Sequence, residues 1–438
     1  MRGQRLLLLL LVFCPLLLAT VPMRSPLAFA PLDGGQAAVQ GVHVLAMAIS
    51  PDGTLYAGGR HTQTLHAAGQ PSLAEVGSVF MVSHDHGAHW TKRVSDEPPP
   101  GVLTRLSPWT DHTRWPNNFT VYQLVVDASH PTTIYAAGGF PFSRGDRGQP
   151  HLLLRSTDGG RTWTEILMHR VNLNATPPLV TNILVTSTNR QDLTYRRAHN
   201  AQTLVIDPRN PRHLYLGTDE LGVLRSTDGG ATWQYNPASP SIAPHVSEQL
   251  LLDPQPPTTL YVLIQDTTMA FLYRSEDSGT TWQRLWQGDY ASGLFLEGHT
   301  LYVARWDGIY ASVDRGRQWS LAVNARTLPG FTRKTVATLT GIAGRLDQAL
   351  LDRWRGNAWY VEMESYLSDH VHGLYATTNA GATWSLVTDG RRGAQGALSG
   401  AVAFNGNPPG LWLDDGTQPR ILFSASAVDG LYRWRVIP

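Results

Sequence analysis

The octet STDGGRTW, Ser156 to Trp163, decides how this chain folds, because it recurs. SHDHGAHW (Ser83 to Trp90), STDGGATW (Ser226 to Trp233), SEDSGTTW (Ser275 to Trp282), SVDRGRQW (Ser312 to Trp319) and TTNAGATW (Thr377 to Trp384) bring the copies of S/T-x-D/N-x-G-x-x-W to six. The recurring positions are Ser83, Asp85, Gly87 and Trp90; Ser156, Asp158, Gly160 and Trp163; Ser226, Asp228, Gly230 and Trp233; Ser275, Asp277, Gly279 and Trp282; Ser312, Asp314, Gly316 and Trp319; and Thr377, Asn379, Gly381 and Trp384. A hydroxyl and, two residues on, a carboxylate or amide hydrogen-bond nearby backbone N–H groups, while glycine supplies a positive φ. The tryptophan then starts a returning strand and covers the turn. Read alone, His84, Asp85, His86 and His89 form a set of metal ligands. In the Ser156 copy those three histidine positions hold Thr157, Gly159 and Thr162, so the pattern requires no imidazole. Neither a metal nor a cofactor is expected, and the histidines read as variable decoration.

Alternating runs such as GVLR, FLYR and GIYA precede the octets, as half-buried strands do. Before them stand TLYAGG from Thr54, TIYAAGG from Thr133, HLYLGTD from His213, TLYVLIQD from Thr259, TLYVARWD from Thr300, WYVEMES from Trp359 and ILFSAS from Ile421. A third element, TLVIDPRNP from Thr203 being typical, ends in an Asp-Pro turn. The unit is strand A, turn, strand B, loop, strand C, octet, strand D: a four-stranded antiparallel blade. The expected fold is all-β, a single seven-bladed β-propeller, with six blades as the alternative because the last unit has no octet. Residues 36–40 are expected to supply the missing outer strand of that unit and close the ring. Residues 340–354 read either as a short helix or as a strand A.

The octets resemble the Asp-box, or BNR repeat, of β-propellers found in sialidases, xyloglucan-type endoglucanases, sortilin-like receptor ectodomains and photosystem II assembly factors. The resemblance covers nearly all of residues 41–438. It implies the fold and leaves function open, because the box is a structural turn in those families and function sits in other loops.

Composition fits. Lys and Arg number 35 against 34 Asp and Glu, and 16% of residues are charged, so no basic footprint argues for nucleic acid. The start, MRGQRLLLLLLVFCPLLLAT, places two arginines before an apolar run from Leu6 to Ala19, short for a membrane span of about 20 residues. Residues 1–30 are expected to be a signal peptide or an amino-terminal anchor, residues 31–438 the propeller, and the location extracytoplasmic. Ala28-Phe29-Ala30 has the small-x-small form of a cleavage site, but Pro31, a poor residue after a scissile bond, follows it. The membrane enters only through an uncleaved anchor. The single cysteine, Cys14, lies in the apolar run, which leaves the body without disulfides.

In a propeller the A–B and C–D turns share one face, and the B–C and D–A connections share the other. The first face carries brief turns and the octets. The second takes the long connections, near residues 60–77, 96–120, 140–150, 166–200 and 322–345, and long loops in a compact domain are usually functional or disordered. Candidate ligand-face residues are Trp109, Arg114 and Trp115, with His112 nearby, and Tyr195, Arg196 and Arg197; aromatics with arginine suit sugar stacking or protein hot spots. Packing of the loops onto the barrel explains the same residues. Asp219, Glu220, Asp266, Asp307 and Asp429 recur where strand B turns toward strand C, although Asp before Gly is also ordinary turn chemistry. Glu362 and Glu364 share one strand face, which makes them a candidate carboxylate pair.

A sialidase is disfavoured. The resemblance would require a clamp arginine in an Arg-Ile-Pro context before the first box, and residues 31–82 hold a single arginine, Arg60. A xyloglucan-type hydrolase would place two carboxylates in a cleft between two propellers, and this chain has length for one. Its catalytic candidates are Asp219, Glu362 and Glu364. No Ser-His-Asp order, phosphate loop or dinucleotide fingerprint is present. The leading expectation is an exported, non-catalytic, monomeric propeller that binds a protein or a glycan through its loop-rich face, with a glycoside hydrolase as the alternative.

Overall fold

The computed structural model describes residues 28–33, 37–67, 70–92, 119–139, 151–168, 170–172, 179–181, 195–196, 201–218, 222–236, 238–240, 247–265, 269–288, 291–305, 307–327, 345–352, 358–364, 373–389, 411–414, 416–417, 419–426 and 430–437. Strand β1 (Ala28–Pro31) comes first, followed by β2 (Val42–Ile49), β3 (Leu55–Ala67), β4 (Gln70–Ser83) and β5 (Thr91–Lys92). The next antiparallel group is β6 (Thr120–Val126), β7 (Ile134–Gly139), β8 (His151–Ser156) and β9 (Thr164–Met168). Three short strands, β10 (Arg170–Asn172), β11 (Leu179–Thr181) and β12 (Tyr195–Arg196), lead to β13 (Ala201–Ile206), β14 (Leu214–Thr218), β15 (Gly222–Ser226) and β16 (Trp233–Tyr235). Then come β17 (Ser247–Asp253), β18 (Thr259–Gln265), β19 (Ala270–Ser275) and β20 (Gln283–Gly288), and β21 (Ala291–Glu297), β22 (Thr300–Arg305), β23 (Gly308–Ser312) and β24 (Ser320–Asn324). The chain ends with β25 (Arg345–Asp352), β26 (Ala358–Glu364), β27 (Gly373–Thr377) and β28 (Ser385–Asp389), and β29 (Leu411–Asp414), β30 (Ile421–Ser426) and β31 (Gly430–Ile437).

These strands make an all-β propeller of four-stranded antiparallel blades. Six sheets have the expected four strands, the number given by the six-bladed alternative, and one further sheet has seven strands, in the order β12-β10-β11-β16-β15-β14-β13. Inner strands β2, β6, β13, β17, β21, β25 and β29 lie side by side in that order, and β2 returns to meet β30 and β31. Buried aliphatic and aromatic clusters fill the spaces between neighbouring sheets; Phe80 of β4, for example, packs edge-on at 5.0 Å against Trp163 beside β9.

Three expectations need correction. The outer strand of the last sheet is β1, paired with β31 through Ala28↔Ile437, Phe29↔Val436, Ala30↔Arg435 and Pro31↔Trp434. Val39 forms instead an isolated bridge to Leu431. Of the two readings of 340–354, strand A is the one found: the stretch contains β25, paired with β26 from Arg345↔Glu364 to Asp352↔Ala358. The connection near residues 60–77 is strand rather than loop: β3 and β4 continue as a ribbon from Thr62↔Glu75 to Ala67↔Gln70, beyond a register shift at Arg60 and Thr62. The connection over residues 166–200 likewise holds strands, and β11 pairs with the outer edge of β16.

The octets are built as their chemistry requires. Ser226 Oγ donates to Asp228 Oδ1 at 2.8 Å, Gly230 N–H donates to Ser226 Oγ at 2.8 Å, Thr232 N–H donates to Asp228 Oδ1 at 2.8 Å, and Trp233 Nε1–H donates to the Gly230 carbonyl at 3.1 Å. The octets starting at Ser83, Ser156, Ser275 and Ser312 repeat all four bonds. In the Thr377 copy Asn379 replaces the carboxylate, and Trp384 Nε1–H donates to Thr327 Oγ1 instead of to glycine. The octets do meet the A–B turns, as Gly159 N–H donating to the Thr132 carbonyl and Gly229 N–H donating to the Arg212 carbonyl show.

The octet histidines are more than decoration. His86 Nδ1 lies 2.8 Å from Asp414 Oδ2, and that carboxylate is buried in the last sheet. Burial of Asp414 demands a partner, and the imidazole across the sheet junction supplies it. His89 Nδ1 sits 2.6 Å from Asp85 Oδ2 and His84 Nδ1 3.2 Å from Thr54 Oγ1.

Candidate functional site

The face opposite the octets carries the β3–β4 ribbon and the turn from β22 to β23. At this turn, Arg305 ends β22, Asp307 occupies the turn itself and Tyr310 lies on β23. Gly308 admits no side chain, since a Cβ there would lie 2.4 Å from the Val323 carbonyl oxygen. The Arg305 guanidinium carbon is 4.9 Å from the Tyr310 ring centre and 5.3 Å from that of Trp286, which belongs to β20 of the preceding sheet. Two aromatic faces on different sheets thus hold one cation.

The carboxylate is fixed independently. Asp307 is buried, Tyr310 OH donates to its Oδ2 at 3.1 Å, and its carbonyl accepts the Ala325 N–H at 3.2 Å. Arg305 Nε stands 4.0 Å from Asp307 Oδ1, an ion pair too long for a hydrogen bond, and that buried nitrogen has no hydrogen-bond partner among the described residues. The Arg305 side chain keeps 22% of its surface exposed. The result is a preoriented guanidinium, a fixed carboxylate and two aromatic rings at one sheet junction. That set can grip a ligand rich in hydroxyl or carbonyl oxygens, because a guanidinium offers five N–H donors.

Of the residues singled out in the sequence, Asp307 falls in this cluster. Glu362 and Glu364 lie on β26, opposite Gln348 and Arg345 of β25. Tyr195 and Arg196 form β12, paired with Asn172 and Val171. Trp109, His112, Arg114, Trp115, Arg197, Asp219, Glu220, Asp266 and Asp429 lie outside the described residues. Arg60, the single arginine of residues 31–82, is buried and donates through Nη1 to Thr120 Oγ1 at 2.7 Å, which joins two sheets. Arg305, Trp286 and Tyr310 escaped the sequence reading. WDGIY marks a turn, but nothing in it shows that a tryptophan of the neighbouring sheet closes over Arg305.

No protein-family model matches the chain. A xyloglucanase, Xgh74A of Acetivibrio thermocellus, is 25% identical over 340 residues, which is 69% of this chain and 36% of that protein. A xyloglucanase of a Paenibacillus species is 29% identical over 310 residues, 64% of this chain and 28% of that protein. The chain thus spans about a third of the length of these relatives. A solved structure of YCF48 bound to a D1 peptide aligns with 95% of this chain and 98% of its own, at 12% identity and a TM-score of 0.49.

Proposed function

We propose that this protein is an exported, non-catalytic propeller that binds a polysaccharide of the xyloglucan type through the face opposite its octets. The observation that carries the reading is the Arg305 guanidinium, held between Trp286 and Tyr310 beside the fixed Asp307 carboxylate. Aromatic faces with arginine and carboxylate edges match the alternating C–H and hydroxyl surfaces of a sugar chain. The likeness to xyloglucanases over 310 and 340 residues points to the same ligand class. Trp109, Arg114, Trp115, Tyr195, Arg196, Arg197 and Glu220 are the further residues we assign to this face. The test is affinity electrophoresis of the purified chain in gels with and without xyloglucan. Retardation by the glycan is expected, and unchanged mobility would end the reading.

We also read the seven-stranded sheet as a blade with three added outer strands, which makes the ring seven-bladed. In support, β13–β16 carry the octet in the usual place, and β13 lies between β6 and β17. The repeat units are Asp-boxes on this reading, and the protein acts as a monomer outside the cytoplasm.

A second reading, a glycoside hydrolase with Asp219, Glu362 and Glu364 as catalytic carboxylates, is favoured by the same likeness to xyloglucanases. Release of reducing ends from xyloglucan, abolished by alanine at those positions, would establish it over the binding role.

A further inference from the structure

We propose that Ala28–Pro31 is kept in the working protein as the outermost strand of the last blade, so that any leader removal falls before Ala28 and not after Ala30. The inference rests on the export reading only in supposing that a leader is removed at all; the strand itself is independent of it.

The small-x-small stretch Ala28-Phe29-Ala30 supplies three of the four residues of β1. They pair with Ile437, Val436 and Arg435 of β31. Cleavage after Ala30 would leave Pro31 alone on that edge, and proline has no N–H to give to a ladder. Strand β31 would then present unpaired backbone groups along the outer side of the last blade, beside Val436, a buried residue.

The chain that follows β1 is tied to the same blade, which sets where β1 lies. Leu32 N–H donates to the Arg433 carbonyl at 3.0 Å, and Ala38 N–H to the Leu431 carbonyl at 2.7 Å. Arg433 is buried and donates through Nε and Nη2 to the two carboxylate oxygens of Asp33, at 2.8 and 2.6 Å. Its Nη1 donates to the His86 carbonyl of the Ser83 octet at 3.0 Å. Arg433 therefore joins the amino-terminal segment, the last blade and the first octet. Residues just upstream of Leu32 are delivered to the edge of β31 by these ties, and β1 occupies that edge in register.

The test is the amino terminus of the protein exported from a bacterial host, read by intact mass and terminal peptide sequencing. The expected product starts at or before Ala28; a product starting at Pro31 or later would overturn the proposal. A double variant, Ala28→Leu with Ala30→Leu, removes the small-x-small form. It is expected to yield a product with the same start as the parent, whereas accumulation of a longer precursor would show that cleavage follows Ala30. A purified chain starting at Pro31 is expected to melt about 5 °C or more below one starting at Met23, and equal melting would count against the strand's role. Fractionation reports on export separately: a chain retaining Met1 in the cytoplasm removes the export reading while keeping β1 in place.

Discussion

At Asp228, burial pushes the carboxyl pKa up, but the Thr232 hydroxyl and N–H and the Ser226 hydroxyl outweigh it and hold the value at about 2. A carboxylate lowered below its ordinary 3.8 adds stability that is complete above the unfolded value and is lost as pH falls through about 2. Asp158 and Asp277 are lowered in the same sense, again against burial, by their threonine partners. Thermal melts should therefore fall between about pH 4 and pH 2, and Asp228→Asn should shallow that fall. The Thr377 copy shows why the amide is tolerated, since Asn379 Oδ1 accepts the Thr383 N–H at 2.9 Å without a titrating group. The octet glycine has a second duty beyond its positive φ. A Cβ on Gly160, whose φ is 82°, would sit 2.1 Å from Phe80 of the neighbouring sheet. Gly160→Ala should cost about 2 to 4 kcal/mol in a urea melt, from left-handed backbone and overpacking together. The hydroxyl, acid, glycine and tryptophan of each octet were legible because their bonds are local. The seat for Phe80 was not, because it depends on a side chain about one blade away; nor was the fourth octet position, where His86, Ser278, Arg315 and Ala380 adopt φ between 55° and 60°.

Among elements, the inner strands are linked by side-chain amides and hydroxyls to the next sheet's backbone. Leu204 N–H donates to Gln123 Oε1, Leu250 N–H to Thr203 Oγ1 at 3.3 Å, and Leu294 N–H to Gln249 Oε1 at 2.8 Å. Gln249→Met keeps the volume and leaves the Leu294 N–H without its acceptor, so unfolding free energy should drop by about 1 to 3 kcal/mol in a denaturant melt. A parallel tie runs on the octet face, where Arg155 Nη1–H donates to the Gly229 carbonyl and Arg274 Nη1–H to the Arg315 carbonyl, as Arg433 does to His86. Asp33→Ala strips the buried Arg433 of its carboxylate, and a loss of about 3 kcal/mol is expected by the same measurement. Alternation made most strands readable. Turn chemistry alone did not place β1, the β3–β4 ribbon or β10–β12, because outer and extended strands gain their partners only after the sheets assemble.

For the whole molecule, the two faces of the propeller are built differently. The octet face is braced by local turns and by arginines reaching to the next sheet, while the opposite face carries the ribbon and the Arg305 cluster. Octet spacing made the division of faces legible. The cluster was only partly so, through Asp307, because Trp286 and Arg305 meet across a sheet junction that spacing does not encode. The account stands or falls on xyloglucan binding at this junction, measured by calorimetric titration of the parent chain, Arg305→Met and the octet-face control Arg317→Ala, each confirmed folded by its melt. It predicts equal affinity for the parent and Arg317→Ala, affinity at least about tenfold weaker for Arg305→Met, and no release of reducing ends. Undiminished binding by Arg305→Met, or steady hydrolysis of the glycan by the parent, would contradict it.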